Sequence, residues 1–247
     1  MNLDRIIAIR NNKTVYKDGT QCLKVFEENF SKAAVLQEAL NQARIEETLL
    51  HVPKITEVVQ IDGKWAIVYE YIKGKTLTQL MNEQPENTAK YLDQLLELQL
   101  LVHSKTCHSL MRQKDRLNAM IRKTELSATV RFDLHTRLEE MPKHIKICHG
   151  DFTPSNIVIT PDGTPYILDW SRATQGNGTA DAMNTYLLLC LHHGEAMGQQ
   201  YLDSFCDKAG IDPAYAQRWI PIMAAALMSR CGEKDRQFLY EKINIKE

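Results

Sequence analysis

The chain has 247 residues, of which 44% are hydrophobic and 25% charged, and its formal net charge is −1. This length and composition are those of an ordinary globular protein that buries a substantial core. Because the charges nearly cancel, bulk electrostatics argues neither for a nucleic-acid-binding protein nor for one that adheres to a membrane surface.

The cysteines and apolar segments indicate the compartment. The six cysteines include no Cys-x-x-Cys pair, and no group of Cys and His has zinc-site spacing. No stretch of about 18 apolar residues occurs, and the first residues lack the apolar core of a signal peptide. We therefore expect reduced thiols in a soluble, cytoplasmic protein without a membrane or nucleic-acid partner.

The first part of the chain is predicted to be rich in strands. Short alternating apolar and polar runs indicate five of them, at residues 3–9, 14–16, 22–26, 55–61 and 64–71. Asp-Gly pairs at residues 18–19 and 62–63 are typical of hairpin turns. These signals predict a sheet made mainly of antiparallel hairpins.

One helix interrupts these strands. Residues 31–50 have helical periodicity, with Ser31 as a candidate N-cap. The apolar residues predicted to line one face of this helix are Val35, Leu36, Ala39, Leu40 and Ala43. We expect that face to pack on the sheet.

The remainder of the chain is predicted to be mainly helical. After a hinge near residues 70–74, only helical periodicity is found at residues 77–138. Short β-like runs separated by turn residues occupy residues 145–170, and the chain is helical again from about residue 180. The layout is a β-rich part with one helix, followed by a helical part with a small β insert.

Two short segments carry the most informative residues. Asp151 follows His149-Gly150 and precedes Asn156, and Asp169 lies in the sequence Ile-Leu-Asp-Trp. Transfer of a phosphoryl group from ATP to a hydroxyl needs a proton-accepting group and oxygen ligands for Mg²⁺. Either segment alone is also explained by a hairpin with Asp and Asn as turn formers. The two together, in this order and spacing, favour the catalytic interpretation.

These segments resemble the H-G-D-x-x-x-x-N and I-D-W motifs of the aminoglycoside phosphotransferase and choline kinase family, with Leu168 in place of Ile. The resemblance implies an α+β, bilobal protein-kinase-like fold. Residues 1–72 would form a small β-rich N-lobe with one helix, and residues 73–247 a larger, mainly helical C-lobe. It also implies that Asp151 is the catalytic base and that Asn156 and Asp169 bind Mg²⁺.

The same resemblance implies roles for residues of the N-terminal part. Lys24, on the third strand, would contact the ATP phosphates and be held by a helix glutamate. We choose Glu38 as that partner, with Glu46 as the rival. The backbone of the hinge residues Glu70, Tyr71 and Ile72 would pair with adenine.

Other residues of these segments are interpreted as support. His149 and Asp181 are expected to brace the catalytic loop. The phosphate-covering loop should be residues 10–14, which contain no glycine, so we assign no contact there.

The predicted function is ATP-dependent transfer of a phosphoryl group to a hydroxyl of a small molecule, such as an aminoglycoside, an amino alcohol or a sugar. Acidic and basic residues are nearly balanced after residue 183, which argues against a dedicated site for polycationic aminoglycosides. An atypical protein kinase and a non-catalytic nucleotide-binding module are the alternatives. The acceptor, the choice between ATP and GTP, and the oligomeric state stay open.

Overall fold

The structure is a computed structural model that describes residues 5–10 and 12–243. The chain forms two compact units. The first, here the sheet unit, contains the chain up to Leu80 together with Ser155–Arg172, and the second, the helical unit, contains Met81–Pro154 and the chain from Ala173 onward. The domain boundary predicted between residues 72 and 73 stays a prediction.

The sheet unit is built on five antiparallel strands in the order β1-β2-β3-β5-β4. They are β1 (Arg5–Arg10), β2 (Lys13–Asp18), β3 (Gln21–Phe26), β4 (Ile55–Ile61) and β5 (Lys64–Glu70). The five strands expected from the alternating pattern are confirmed, although the start of the first one lies outside the described residues. β3 is the central strand, and β3 and β5 carry the most buried side chains of the sheet.

Helix α1 (Lys32–Glu46) covers one face of this sheet. Val35 and Ala39 pack in one cluster with Phe26 and Ile67 from the strands. The helix ends at Glu46 and not at the predicted residue 50, because Leu49 has a φ of +63° and a right-handed helix does not continue through that conformation.

The buried face of α1 differs from the predicted one. Leu36 and Leu40 are each 45% exposed, whereas Glu38, Asn41 and Gln42 are buried. All three buried polar side chains have hydrogen-bond partners inside the sheet unit. Burial of polar groups is tolerated when they are paired, so the helix is rotated relative to its apolar pattern.

A second, three-stranded sheet of the sheet unit joins distant parts of the chain. Its order is β6-β8-β9, and its strands are β6 (Lys75–Thr76), β8 (Ile157–Ile159) and β9 (Pro165–Ile167). Gly74 precedes β6, and a Cβ atom there would lie 2.3 Å from the carbonyl oxygen of Ile159. Only glycine fits this close approach between the chain after the hinge and β8.

Helix α2 (Leu77–Glu83) contains the boundary between the two units, which lies between Leu80 and Met81. The predicted helical stretch at residues 77–138 is in fact divided into four helices, because turns and a 3₁₀ segment interrupt it. The remaining helices are α3 (Thr88–His103), α4 (Gln113–Arg122), α5 (Ala128–Glu140), α6 (Gly178–His193), α7 (Glu195–Ala209), α8 (Pro213–Gln217), α9 (Ile220–Met228) and α10 (Glu233–Ile243).

Helix α6 is the centre of the helical unit. Every residue from Gly178 to Cys190 is buried. A two-stranded antiparallel ladder, β7 (Lys146–Cys148) with β10 (Thr174–Gly176), belongs to the same unit. Its first strand, β7, directly precedes the His149-Gly150-Asp151 segment. Within the described part of the chain, no helix has both the length and the apolar character needed to cross a membrane.

Candidate active site

The sheet unit holds a buried ion pair between an inner strand and helix α1. Lys24 Nζ on β3 lies 2.5 Å from Glu38 Oε1 on α1. Both residues are more than nine-tenths buried. Glu46, the rival partner, instead accepts a hydrogen bond from the backbone N–H of Ile55 at 2.8 Å. The structure therefore brings Lys24 and Glu38 together and places Glu46 against the first residue of β4.

Asp169 joins this pair from the end of the β8–β9 hairpin. Its Oδ1 lies 3.0 Å from Lys24 Nζ. Asp169 has a φ of +60°, which is uncommon for a residue other than glycine. Such conformations cluster at functional sites, where the surrounding structure holds them in place.

Asn156 lies at the same end of that hairpin. β8 and β9 pair with Ile157 opposite Ile167, and the N–H of Leu168 donates to the carbonyl oxygen of Asn156 at 2.8 Å. The short hairpin is why residues thirteen apart in sequence become neighbours in the sheet unit: Asn156 precedes one strand and Asp169 follows the other. The two predicted metal ligands therefore lie at the same end of the β8–β9 hairpin.

The charges of this cluster shift its pKa values. Burial alone would lower the pKa of Lys24, but the negative charges of Asp169 and Glu38 outweigh burial and hold that pKa well above its ordinary value. Burial alone would raise the pKa of Asp169, but the ammonium groups of Lys24 and Lys13 hold it well below its ordinary value. Burial and the charge of Lys24 lower the pKa of Lys13.

The predicted hinge lies at the end of β5. The N–H of Glu70 donates to the carbonyl oxygen of Lys54 at 2.8 Å, and that of Tyr71 donates to Thr20 at 2.9 Å. Ile72 follows directly. The N–H groups of Glu70 and Tyr71 therefore already donate within the sheet unit.

In the helical unit, Asp181 holds the loop that carries Asp151. Asp181 Oδ2 accepts from the N–H of His149 at 3.0 Å, and its Oδ1 accepts from the N–H of Gly150 at 2.7 Å. Asp181 is 1% exposed, and its Oδ2 also lies 3.0 Å from His103 Nε2. Gly150 has a φ of +78°, which only glycine adopts readily. The loop conformation is thus fixed from the buried helix α6.

Asp151 itself is paired with a residue that the motifs did not indicate. Arg230 Nη1 lies 3.3 Å from Asp151 Oδ1, and Arg230 Nη2 donates to the carbonyl oxygen of Gly150 at 3.1 Å. Arg230 follows α9 and lies 79 residues after Asp151. No local pattern surrounds it in the sequence, so only the fold reveals this contact. Arg230 orients the Asp151 carboxylate.

Under the catalytic role that the sequence predicts for Asp151, replacing Arg230 by Met is expected to lower the turnover number by up to about 10²-fold, because Asp151 loses the contact that orients it. The KM for the predicted nucleotide should change little. Steady-state kinetics would measure both constants, and added guanidinium should restore part of the activity of an Arg230→Ala variant. A purely structural role would instead lower the melting temperature without rescue.

One protein family matches most of this chain. The sequence model of the phosphotransferase enzyme family (APH) matches residues 10–218. Among curated protein sequences, none is significantly similar to this chain.

Solved structures similar to this chain include two aminoglycoside phosphotransferases. A thermostable mutant of aminoglycoside phosphotransferase APH(4)-Ia, in a ternary complex with AMP-PNP and hygromycin B, is 14% identical with a TM-score of 0.69, and the alignment covers 97% of this chain and 90% of that one. The aminoglycoside-3'-phosphotransferase of type VIII is 14% identical with a TM-score of 0.64, covering 90% of this chain and 92% of that one.

The choline kinase LicA from Streptococcus pneumoniae is also similar. It is 16% identical with a TM-score of 0.64, and the alignment covers 98% of this chain and 91% of that one. At such identities the similarity concerns the fold. The α+β, kinase-like fold predicted from the sequence is thereby confirmed.

Proposed function

Since the chain belongs to the phosphotransferase enzyme family, we propose that it transfers the γ-phosphoryl group of ATP to a hydroxyl of a small molecule. The observation that carries this proposal is the buried cluster in which Lys24 contacts both Glu38 and Asp169. Phosphoryl transfer depends on positioning and on charge neutralisation, and a lysine paired with a helix glutamate beside a metal-binding aspartate supplies both.

The nucleotide is assigned to residues of the sheet unit. Lys24, oriented by Glu38, would contact the phosphates, and the backbone at Glu70, Tyr71 and Ile72 would pair with the adenine. The solved relatives include complexes with AMP-PNP and with ADP, which supports a nucleotide as the phosphoryl donor.

The same unit offers residues that fit Mg²⁺. A carboxylate and an amide at one hairpin end, Asp169 and Asn156, are hard oxygen ligands of the kind Mg²⁺ takes together with water and phosphate. The lysines around Asp169 keep it ionised at neutral pH, as a ligand requires. Bound Mg²⁺ would neutralise phosphate charge.

Asp151 is assigned as the residue that contacts the hydroxyl of the acceptor. Its carboxylate would accept the hydroxyl proton as the oxygen attacks the γ-phosphorus, while the bond from that phosphorus to the bridging oxygen breaks and ADP leaves. Arg230 would orient this carboxylate, while Asp181 holds the N–H groups of His149 and Gly150. Small hydroxyl compounds are the acceptor class proposed here, in keeping with the aminoglycoside phosphotransferases and the choline kinase among the relatives.

The test is transfer from ATP in the presence of Mg²⁺ to a panel of aminoglycosides, amino alcohols, sugars and nucleosides. Nucleotide turnover by a coupled assay and product mass by spectrometry are the measurements. We expect one class of compound to stimulate turnover and to gain one phosphoryl group. Compounds that leave both unchanged across the whole panel, in a protein that binds ATP, would contradict a small-molecule acceptor of these classes.

An Asp169→Ala variant tests the metal assignment. Without this carboxylate, ATP affinity in excess Mg²⁺ should fall by about 10-fold or more, because a charged contact to the metal is lost. Asp162, an exposed aspartate of the same hairpin, gives the matched control, Asp162→Ala, which should bind ATP as the unaltered protein does. Equal ATP affinity in the two variants would remove Asp169 from the metal site.

A further inference from the structure

The cluster around Asp169 contains a second lysine that the proposed function does not use. Lys13 Nζ lies 3.4 Å from Asp169 Oδ2 and 3.7 Å from Glu38 Oε2. Its side chain is 17% exposed, close to the 19% of Asp169. Two lysines and two carboxylates therefore form one largely buried, charge-balanced group.

The register of the first hairpins explains this arrangement. Val15 on β2 lies opposite Lys24 on β3, and Lys13 lies opposite Phe26. Residues two apart on a strand point to the same face, so Lys13 and Lys24 are diagonal neighbours on the face that α1 covers. Long side chains on diagonal neighbours reach a common point, which here is the carboxylate of Asp169.

The position of Lys13 differs from that of Lys24 in one respect. Lys24 is held by Glu38 at 2.5 Å, whereas both contacts of Lys13 are longer than 3.2 Å. Lys13 is the first residue of β2, so its long side chain extends from the end of a strand. Of the two ammonium groups, that of Lys13 is the less firmly held.

A metal ion at Asp169 would compete with Lys13 for the carboxylate of that residue. Once that carboxylate turns to a cation, the ammonium group of Lys13 needs another anion, since a largely buried charge without a partner is costly. The phosphate oxygens of a nucleotide are anions of the required kind, and lysine is a common phosphate ligand.

We propose that Lys13 is a second phosphate ligand for the nucleotide, and that in the nucleotide-free protein it serves as the counter-ion of Asp169. This inference rests on the proposed function, because it needs the nucleotide and the metal to bind in the sheet unit. It assigns Lys13 a role in binding, and it explains how Asp169 is balanced before a metal arrives.

The experiment is isothermal titration of the full-length protein with ATP, once in excess Mg²⁺ and once in EDTA. Lys13→Met should weaken ATP binding about 10-fold or more in EDTA, where no metal offsets the phosphate charge. In Mg²⁺ the loss should be smaller, about threefold. Lys13→Arg keeps the charge and should bind within about threefold of the unaltered protein in both conditions.

Lys54→Met is the matched control, since Lys54 is an exposed lysine of the same unit, and its ATP affinity should not change. Circular dichroism melting shows whether each variant is folded, and Lys13→Gln replaces Lys13→Met if the latter is not. ATP binding by Lys13→Met that equals or exceeds that of the unaltered protein in both conditions would reduce Lys13 to a structural counter-ion. No ATP binding by the unaltered protein would overturn the proposed function itself.

Discussion

Replacing Asp151 by Asn is expected to lower the turnover number for phosphoryl transfer by about 10²–10⁴-fold, the contribution of a positioned general base. The amide has nearly the shape of the carboxylate and can still accept a hydrogen bond from Arg230, which lies 3.3 Å from Asp151 Oδ1. It does not take up the hydroxyl proton. The variant thus removes one chemical capacity and leaves the loop in place.

Nucleotide binding should survive this change. The residues assigned to ATP and Mg²⁺ all belong to the sheet unit, whereas Asp151 belongs to the helical unit. We expect the ATP dissociation constant of Asp151→Asn to stay within about threefold of the unaltered value. Titration calorimetry and steady-state kinetics on the same preparation measure the two effects separately.

An exposed aspartate of the helical unit provides the control. Asp207 lies on the surface of α7, and Asp207→Asn should keep both turnover and ATP affinity. If Asp151→Asn turned over as fast as Asp207→Asn, the proton acceptor would have to be another group, and our assignment of the catalytic residue would be wrong.

The second large effect concerns stability. Asp181→Ala should lower the free energy of unfolding by about 3–5 kcal/mol, the usual cost of removing one member of a buried polar pair. Its carboxylate accepts from the backbone N–H groups of His149 and Gly150 and contacts His103. Alanine leaves these buried groups without an acceptor and leaves a cavity as well.

Urea unfolding monitored by circular dichroism measures this loss. Asp203, an exposed residue of α7, serves as the control, since Asp203→Ala should shift the unfolding free energy by no more than about 0.5 kcal/mol. Similar losses in the two variants would show that Asp181 is not the brace of the loop.

The Asp181 contribution should also depend on pH. Burial alone would raise the pKa of Asp181, but the hydrogen bond and charge of His103 outweigh burial and lower it. A carboxyl group with a lowered pKa in the folded state stabilises the fold above its unfolded pKa, about 3.9 for Asp. That stability is lost as the pH falls through the folded value.

The difference in unfolding free energy between the unaltered protein and Asp181→Ala should therefore shrink as the pH falls below about pH 4. A difference that grew on acidification would contradict the lowered pKa. Urea unfolding repeated from neutral pH downward gives the comparison.

Local patterns in the sequence predicted most of the fold. The alternating runs and Asp-Gly turns gave all five strands of the main sheet, because hairpin pairing is set by nearby residues. The face of α1 was predicted wrongly. Leu36 and Leu40 are half-exposed while Glu38 is buried. The helix turns Glu38 toward Lys24 on the sheet, and the spacing of apolar residues carries no information about this ion pair.

The residues of the candidate site likewise include some that the sequence indicated and some that it did not. Asp151, Asn156 and Asp169 lie in compact motifs, and the family resemblance of those motifs implied their roles, which stay predictions. Lys13 and Arg230 were missed. Counting the register from the Asp18-Gly19 turn would have placed Lys13 beside Lys24 on one face. Nothing near Arg230 marks it, because its contact with Asp151 spans 79 residues and depends on the packing of the helices.

The short sheet formed by β6, β8 and β9 has an evolutionary consequence. It fastens the hairpin that carries Asn156 and Asp169 to the segment after Gly74, so these residues fold as part of the unit that holds Lys24. Sequence drift in helices α3 to α10 can then proceed without disturbing the distance between Lys24 and Asp169. Descendant sequences can therefore vary in the helical unit and still inherit the contact between Lys24 and Asp169 unchanged.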